Sequence, residues 1–337
     1  MAKESFLSKI NRFNEDVEKN ISPNLSLVKK TGIFLDFLYE YKMHDTYLLD
    51  YMQYGFYWKT KEERKKYVVH GKLLEIMRKC NNPKHRYIFD EKPEFDKKFA
   101  EYIHREWIYT KDATYSDFLK FIENREDFFM KDPKGMFGLG VKKVKVADIK
   151  DKQEFFNKLK QREILCEETL TQCKEMAEFN DTSINTLRIV SMVTGEGNVK
   201  IMGGLLRTGR KGKIADNFHH QGIAAFIDPQ TGVVITTGID KDNTRHVFHP
   251  DSKKQIVGFH IPMWDDVVKT VQNAALVFPD MHYIGWDVVI NKDNQVVLVE
   301  GNPGADPDAE QITTKEGRWP LYKEVIDGII KSKGEKL

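Results

Sequence analysis

The chain has 337 residues, with 53 Lys and Arg against 51 Asp and Glu, a formal net charge of +2 and three cysteines. So even a balance lacks the basic surplus that holds nucleic acid through its phosphates, and a mean hydropathy of −0.53 with no long apolar run argues against a membrane span. The opening MAKESFLSKINRFNEDVEKN lacks the apolar core of a signal peptide, and Cys80, Cys166 and Cys173 have neither zinc-type spacing nor an even count, so a cytoplasmic protein with reduced thiols is expected.

Residues 1 to about 125 read as helical. Apolar residues recur three and four apart in segments such as FLDFLY (34–39) and YVVHGKLL (67–74). The aromatic run TYLLDYMQYGFYW (46–58) has the spacing of a helix-packing surface. Asn81-Asn82, Pro83 and Pro93 break helices, and Ser116-Asp117 before FLKFI marks a helix start.

From Asp127 the pattern changes to short strands: DFFMK, VKKVKVA, ILCEETL, TLRIVSMV, NVKIMGGLL, GIAAFID, GVVITTG and a closing pair, YIGWDVVI and QVVLVEGN. Short turns rather than crossover helices separate most of them, so the fold class is α+β with mostly antiparallel pairing. Helices are expected at 153–161, 264–278 and 321–330.

Three stretches carry chemistry. After DFFMK, Lys131 enters a loop with Gly135, Gly138 and Gly140 before the next strand; glycine N–H groups and a lysine can cradle phosphate, and a plain glycine hairpin has the same pattern. No Gly-Lys-Ser/Thr follows, so this is not a P-loop. Next, Ile164–Leu170 runs from a strand into acids, and an extended edge segment there can read an adenine through its backbone. Last, Lys292-Asp293-Asn294 suits a hairpin turn. A turn centred between Asp293 and Asn294 sets Ile290 opposite Val297, Val288 opposite Val299 and Asp287 opposite Glu300. Opposed carboxylates sit roughly 5 Å apart and repel, so they call for a shared proton or a cation unless both are solvated. With Asn302 on the same side, the all-oxygen set suits Mg²⁺.

Lys131 with its glycines, the CEETL hinge, SINTLRIVSM with Arg188, the run from Ile214 to Ile223, IGWDVVI and LVEGNPG resemble, in this order, the sugar-transfer-associated branch of the ATP-grasp superfamily over roughly residues 85–330. The resemblance implies two α+β subdomains clasping ATP: a mainly helical region over 1–105, a lid subdomain over 106–168 and a core subdomain with the metal site over 169–331. It implies that Lys131 contacts α and β phosphates, that Gly135, Gly138 and Gly140 close over them, that Cys166, Glu167 and Glu168 hold adenosine, and that Asp287, Glu300 and Asn302 bind Mg²⁺.

Two positions depart from the family pattern. Many ATP-grasp ligases carry an arginine two residues before the metal-binding aspartate, where this chain has Gly285, so anion stabilisation must come from elsewhere. The branch's Gln-His after the hinge is Gln172-Cys173 here. Arg188 and Arg207 are the candidates for a transferring phosphoryl group, with ion pairing as the other reading of each. His219-His220, His246 and His249 do not have the alternation of a zinc site, and Arg210-Lys211-Gly212-Lys213 reads as a hairpin tip.

The implied activity is an ATP-dependent carboxylate–amine ligase working through an acyl phosphate on small-molecule acid and amine substrates, in polysaccharide or related conjugate biosynthesis. A kinase of the same fold acting on a hydroxyl acceptor is the alternative. Acceptor contacts are expected in the helical region and in the loop after Asn302, with Asp306, Asp308, Arg318 and Trp319.

Overall fold

The computed structural model describes residues 6–135, 140–212 and 222–334. Gly138, Lys213, most of the run from Ile214, and the pair His219-His220 therefore lie outside the described residues. The chain forms two compact units, one from residues 1–80 and 306–337 and the other from 81–305.

The first unit is helical. Helices Phe6–Asn20, Leu27–His44, Leu48–Gln53 and His70–Cys80 are joined there by Asp308–Thr314 and Trp319–Ser332. Val17, Tyr51, Ile76, Tyr322 and Ile329 are fully buried in it. The aromatic run 46–58 packs as its spacing predicts, with Tyr51 against Phe37 and Phe56. A half-buried ion cluster joins two of its helical segments, where Arg64 meets Asp36 at 2.8 Å and Glu40 at 3.0 Å.

The second unit holds two antiparallel sheets. The smaller, in the order β1-β4-β2-β3, comprises β1 (Trp107–Tyr109), β2 (Asp127–Lys131), β3 (Lys142–Lys145) and β4 (Leu165–Glu168). Alternation along β2 sends Phe128 and Met130 into a core with Phe118, Phe156, Leu159 and Cys166, and leaves Phe129 and Lys131 on the other face. Helix Tyr115–Ile122 begins at Thr114 rather than Ser116, because Thr114 and Asp117 close a capping box.

The larger sheet runs β11-β10-β5-β6-β7-β8-β9. Its strands are β5 (Thr186–Val193), β6 (Val199–Thr208), β7 (Ile223–Ile227), β8 (Gly238–Ile239), β9 (Arg245–His246), β10 (Tyr283–Ile290) and β11 (Val296–Asn302). Helix Trp264–Ala275 packs on one face with Leu187, Ile189 and Trp286. The expected helix at 264–278 ends three residues early. Little of GVVITTG joins a strand: Val233 and Val234 form single bridges, and the β8 ladder begins only at Gly238. β1 is too short for its alternation to show in sequence.

Candidate active site

The β10–β11 hairpin closes through Lys292-Asp293-Asn294, with Asn291 N donating to Gln295 O at 3.0 Å and Asn294 left-handed at φ 56°. Asp287 does face Glu300, and Gly285 faces Asn302. Nearer the turn the expected register is off by one, with Val288 opposite Leu298 and Ile290 opposite Val296, because Val299 is the extra residue of a β-bulge. The turn is thus three residues long, and the bulge restores the carboxylates to their pairing.

One face of the larger sheet carries a polar row across four strands. Arg188 pairs with Asp287 in register, Thr186 pairs with Arg207, and Glu300 closes the row on β11. Arg188 grips Asp287 with two bonds, Nε to Oδ1 at 2.5 Å and Nη2 to Oδ2 at 3.1 Å, and Arg207 Nη2 reaches Oδ2 at 3.0 Å. Asp287 is 6 % exposed. Its burial would raise its carboxyl, but Arg188 and Arg207 overcome this and hold it at about 2.

Gly285 explains how Arg188 comes to lie there. A Cβ at 285 would stand 3.2 Å from Arg188 Cδ and 2.4 Å from Ala305 Cβ. The glycine thus provides room for Arg188 from the neighbouring strand.

Glu300 has no hydrogen-bond or ion-pair partner among the described residues and is exposed. Desolvation, then the Asp287 charge, push its carboxyl up, while Arg188, Lys92 and Lys131 pull it down. Asn302 Oδ1 accepts from Gly304 N at 2.9 Å.

The smaller sheet contributes the rest. Lys131 Nζ donates to Glu167 at 2.5 Å across a diagonal of β2 and β4, and Arg105 Nε donates to the same oxygen at 3.1 Å. Glu167 is buried, which raises its carboxyl, yet Arg105 and Lys131 bring it down to about 2. Arg105 also donates to Asp96 Oδ1 at 2.9 Å, to Leu298 O at 2.7 Å and to Val299 O at 3.5 Å. The carbonyls at the bulge of β11 are therefore satisfied by a guanidinium that also holds the hinge strand β4.

Two expectations for the hinge need correction. β4 is an interior strand, paired with β1 on one side and β2 on the other, so its backbone is not an open edge. Cys166 is fully buried in the small-sheet core and its thiol is pushed up to about 12, first by burial. Glu167 faces Lys131 instead, and Glu168 accepts from Glu106 N at 3.0 Å. Backbone outside the ladder begins at Thr169 and Leu170.

In the glycine loop, Gly140 is left-handed at φ 81° and lies against Asp132, whose Cβ is 3.2 Å from where a side chain at 140 would start. Gly135 O accepts from Lys92 Nζ, and Lys92 N donates to Pro133 O at 3.0 Å. Lys92 is a site residue that the sequence does not mark. Burial lowers its ammonium, against pulls from Glu300 and Glu167.

Other candidates take ordinary roles. Arg210 is held by Asp251 at 2.8 Å, His246 by Asp240 at 2.9 Å, and His249 bonds Gly209 O. Gln172 is buried and orders the loop before β5, bonding Asn180 O, Ser183 O and Asn185 N.

The sequence profile of the sugar-transfer-associated ATP-grasp family matches residues 74–326. The chain belongs to that family. Similar solved structures include a complex of the ATP-grasp ligase PsnB with a minimal precursor, 15% identical over 77% of this chain and 69% of that one, with a TM-score of 0.47. N5-carboxyaminoimidazole synthetase from Staphylococcus aureus with ADP is 13% identical over 74% and 53% (TM-score 0.45). D-alanyl-alanine synthetase A from Vibrio cholerae is 11% identical over 74% and 68% (TM-score 0.45). No curated protein matches the chain. Among the described residues no helix is long and apolar enough to cross a membrane.

The ATP-grasp site fits a hard cation in part. Among the described residues no group of three or more His, Cys, Asp or Glu is arranged around a metal position. Glu300 nonetheless offers a carboxylate without a counter-charge bonded to it, and Asn302 Oδ1 keeps a second lone pair. Asp287 already accepts one bond at Oδ1 and two at Oδ2, so one lone pair at Oδ1 is left.

Proposed function

We propose that this ATP-grasp chain is an ATP-dependent carboxylate–amine ligase, working through an acyl phosphate in the biosynthesis of a cell-surface polysaccharide or related conjugate. The polar row Arg207–Arg188–Asp287–Glu300, with Lys92 and Lys131 in electrostatic reach of Glu300, carries this reading. Phosphoryl transfer needs little covalent help from the protein; it needs charge placed along the path of the phosphate, and this row supplies it.

In this reading Lys131 and Lys92 hold the phosphates of ATP beside the loop with Gly135, Gly138 and Gly140, and Thr169-Leu170 supply backbone groups to adenosine where β4 ends. Glu300, Asn302 and the remaining lone pair of Asp287 hold Mg²⁺, which when bound neutralises phosphate charge. Arg188 and Arg207 stabilise the γ phosphoryl as the substrate carboxylate takes it. The loop excludes water until an amine nitrogen attacks the acyl carbon and phosphate leaves.

The test is purified protein with Mg-ATP and pooled carboxylates, with hydroxylamine as the amine. Hydroxamate formed together with ADP and free phosphate is the expected outcome. ADP with phosphate on a hydroxyl acceptor, and no hydroxamate, would replace the ligase by a kinase.

A further inference from the structure

The pair of strands that carries Arg207 is fixed from behind by buried amides. Asn185, the residue before β5, is fully buried; its backbone N donates to Gln172 Oε1 at 2.8 Å, and its Nδ2 donates to Met176 O and Asn180 O, each at 2.9 Å. Its Oδ1 accepts from Gly209 N at 3.2 Å, and Gly209 is the residue after β6. Asn185 therefore staples the start of β5 to the end of β6 and keeps Thr186 opposite Arg207. Side chains directly opposed on an antiparallel pair share one face, so these two meet.

Arg207 is gripped at Nη2 and at Nε. Nη2 donates to Asp287 Oδ2 at 3.0 Å, and Nε donates to Thr186 Oγ1 at 3.0 Å. Arg188 bonds Asp287 through both of the same nitrogens, whereas Arg207 divides them between Asp287 and Thr186. A guanidinium anchored through Nη2 alone can swing about that bond, and an acceptor at Nε fixes its plane. Thr186 suits this task. It is 8 % exposed, and a β-branched side chain has a restricted χ1, so the hydroxyl is held toward the arginine.

We propose that Thr186 is a positioning residue for phosphoryl transfer: by accepting from Arg207 Nε it aims the guanidinium at the γ phosphoryl, with Asn185 and Gln172 holding the strand pair behind it. This rests on the proposed place of Arg207 at the γ phosphoryl, and not on the acceptor that takes it. A charge stabilises a transition state best when it is fixed beforehand. Loss of the Thr186 hydroxyl therefore falls on the transfer step, while nucleotide binding, which depends on groups beside the smaller sheet, is spared.

The experiment is calorimetric titration of the full chain with Mg-ADP, alone and with aluminium fluoride as a stand-in for the transferring phosphoryl. Wild type is expected to bind Mg-ADP more tightly when aluminium fluoride is present. Thr186→Val keeps the branched shape and removes the acceptor. It is expected to bind Mg-ADP within twofold of wild type and to lose tenfold or more of the affinity measured with aluminium fluoride. Thr186→Ser should regain most of that loss, and Thr186→Val added to Arg207→Met should cost nothing further. Thr186→Ala makes the same test if the valine variant misfolds. Full retention of the aluminium fluoride gain, an equal loss with Mg-ADP alone, no rescue by serine, or a further loss in the double variant overturns the proposal. Absence of any gain in wild type overturns it together with the place of Arg207. Hydroxamate formation by wild type is scored separately: its absence beside the expected binding pattern sinks the ligase reading alone.

Discussion

At the scale of single residues, Asp287 and Glu300 face each other yet do different work. Asp287 is the shared anion of two half-buried guanidiniums, so Asp287→Asn removes the carboxylate that both Arg188 and Arg207 grip. Breaking a buried pair in this way costs about 3–5 kcal/mol. Glu300 has no such partner and is opposed by a like charge, so Glu300→Gln should leave stability unchanged or improve it by up to about 1 kcal/mol. Both variants should lose Mg-dependent turnover by a hundredfold or more. Thermal melts beside ADP-release assays separate the two: a large fall in Tm for Glu300→Gln, or turnover retained by it, would remove Glu300 from its proposed place.

At the scale of elements, the turn chemistry of Lys292-Asp293-Asn294 and the apolar runs around it made the carboxylate pair legible before any coordinates. The bulge at Val299 was not legible, because nothing in QVVLVEGN distinguishes a bulged valine from a paired one. Nor was the interior place of β4, since β1 is three residues long and falls where helical periodicity still dominates. Arg105 and Lys92 escaped notice for a related reason: each acts on partners far along the chain, and no local spacing records that. Arg105 ties β4 to β11 through Glu167 and the bulge carbonyls, with a side chain 1 % exposed. Arg105→Met is therefore expected to cost about 3–5 kcal/mol, because Glu167 loses a cation and Leu298 O its donor. Arg105→Lys should recover only part of this, since one ammonium cannot span Asp96, Glu167 and two carbonyls. Urea unfolding of the two variants checks it, and equal stability of Lys and wild type would deny the guanidinium its bridging role.

At the scale of the whole molecule, the acids of the two sheets divide into two groups that respond to pH in opposite directions. Asp287 and Glu167 sit at about 2, held below their unfolded values of 3.8 and 4.5 by paired cations, so their contribution is present above about pH 4.5 and is lost as pH falls toward 2. Each represents on the order of 2 kcal/mol. Asp96, whose Oδ2 is buried without a partner, and Glu300 are raised instead, Asp96 first by burial and then by the Glu167 charge, against the pull of Arg105. Their contribution is full below their unfolded values and is lost as pH rises through the folded ones, so Asp96 and Glu300 oppose folding most when ionised. Stability should therefore rise on acidification from pH 8 to about 5 and then fall steeply between about 4 and 2. Glu300→Gln should flatten the neutral limb and leave the acid limb in place, because the acid limb belongs to Asp287 and Glu167. Urea midpoints taken from pH 3 to 9 on both proteins measure the two limbs separately; stability that falls steadily from pH 8 to 5 in wild type would mean that Asp96 and Glu300 are compensated by charges other than those named.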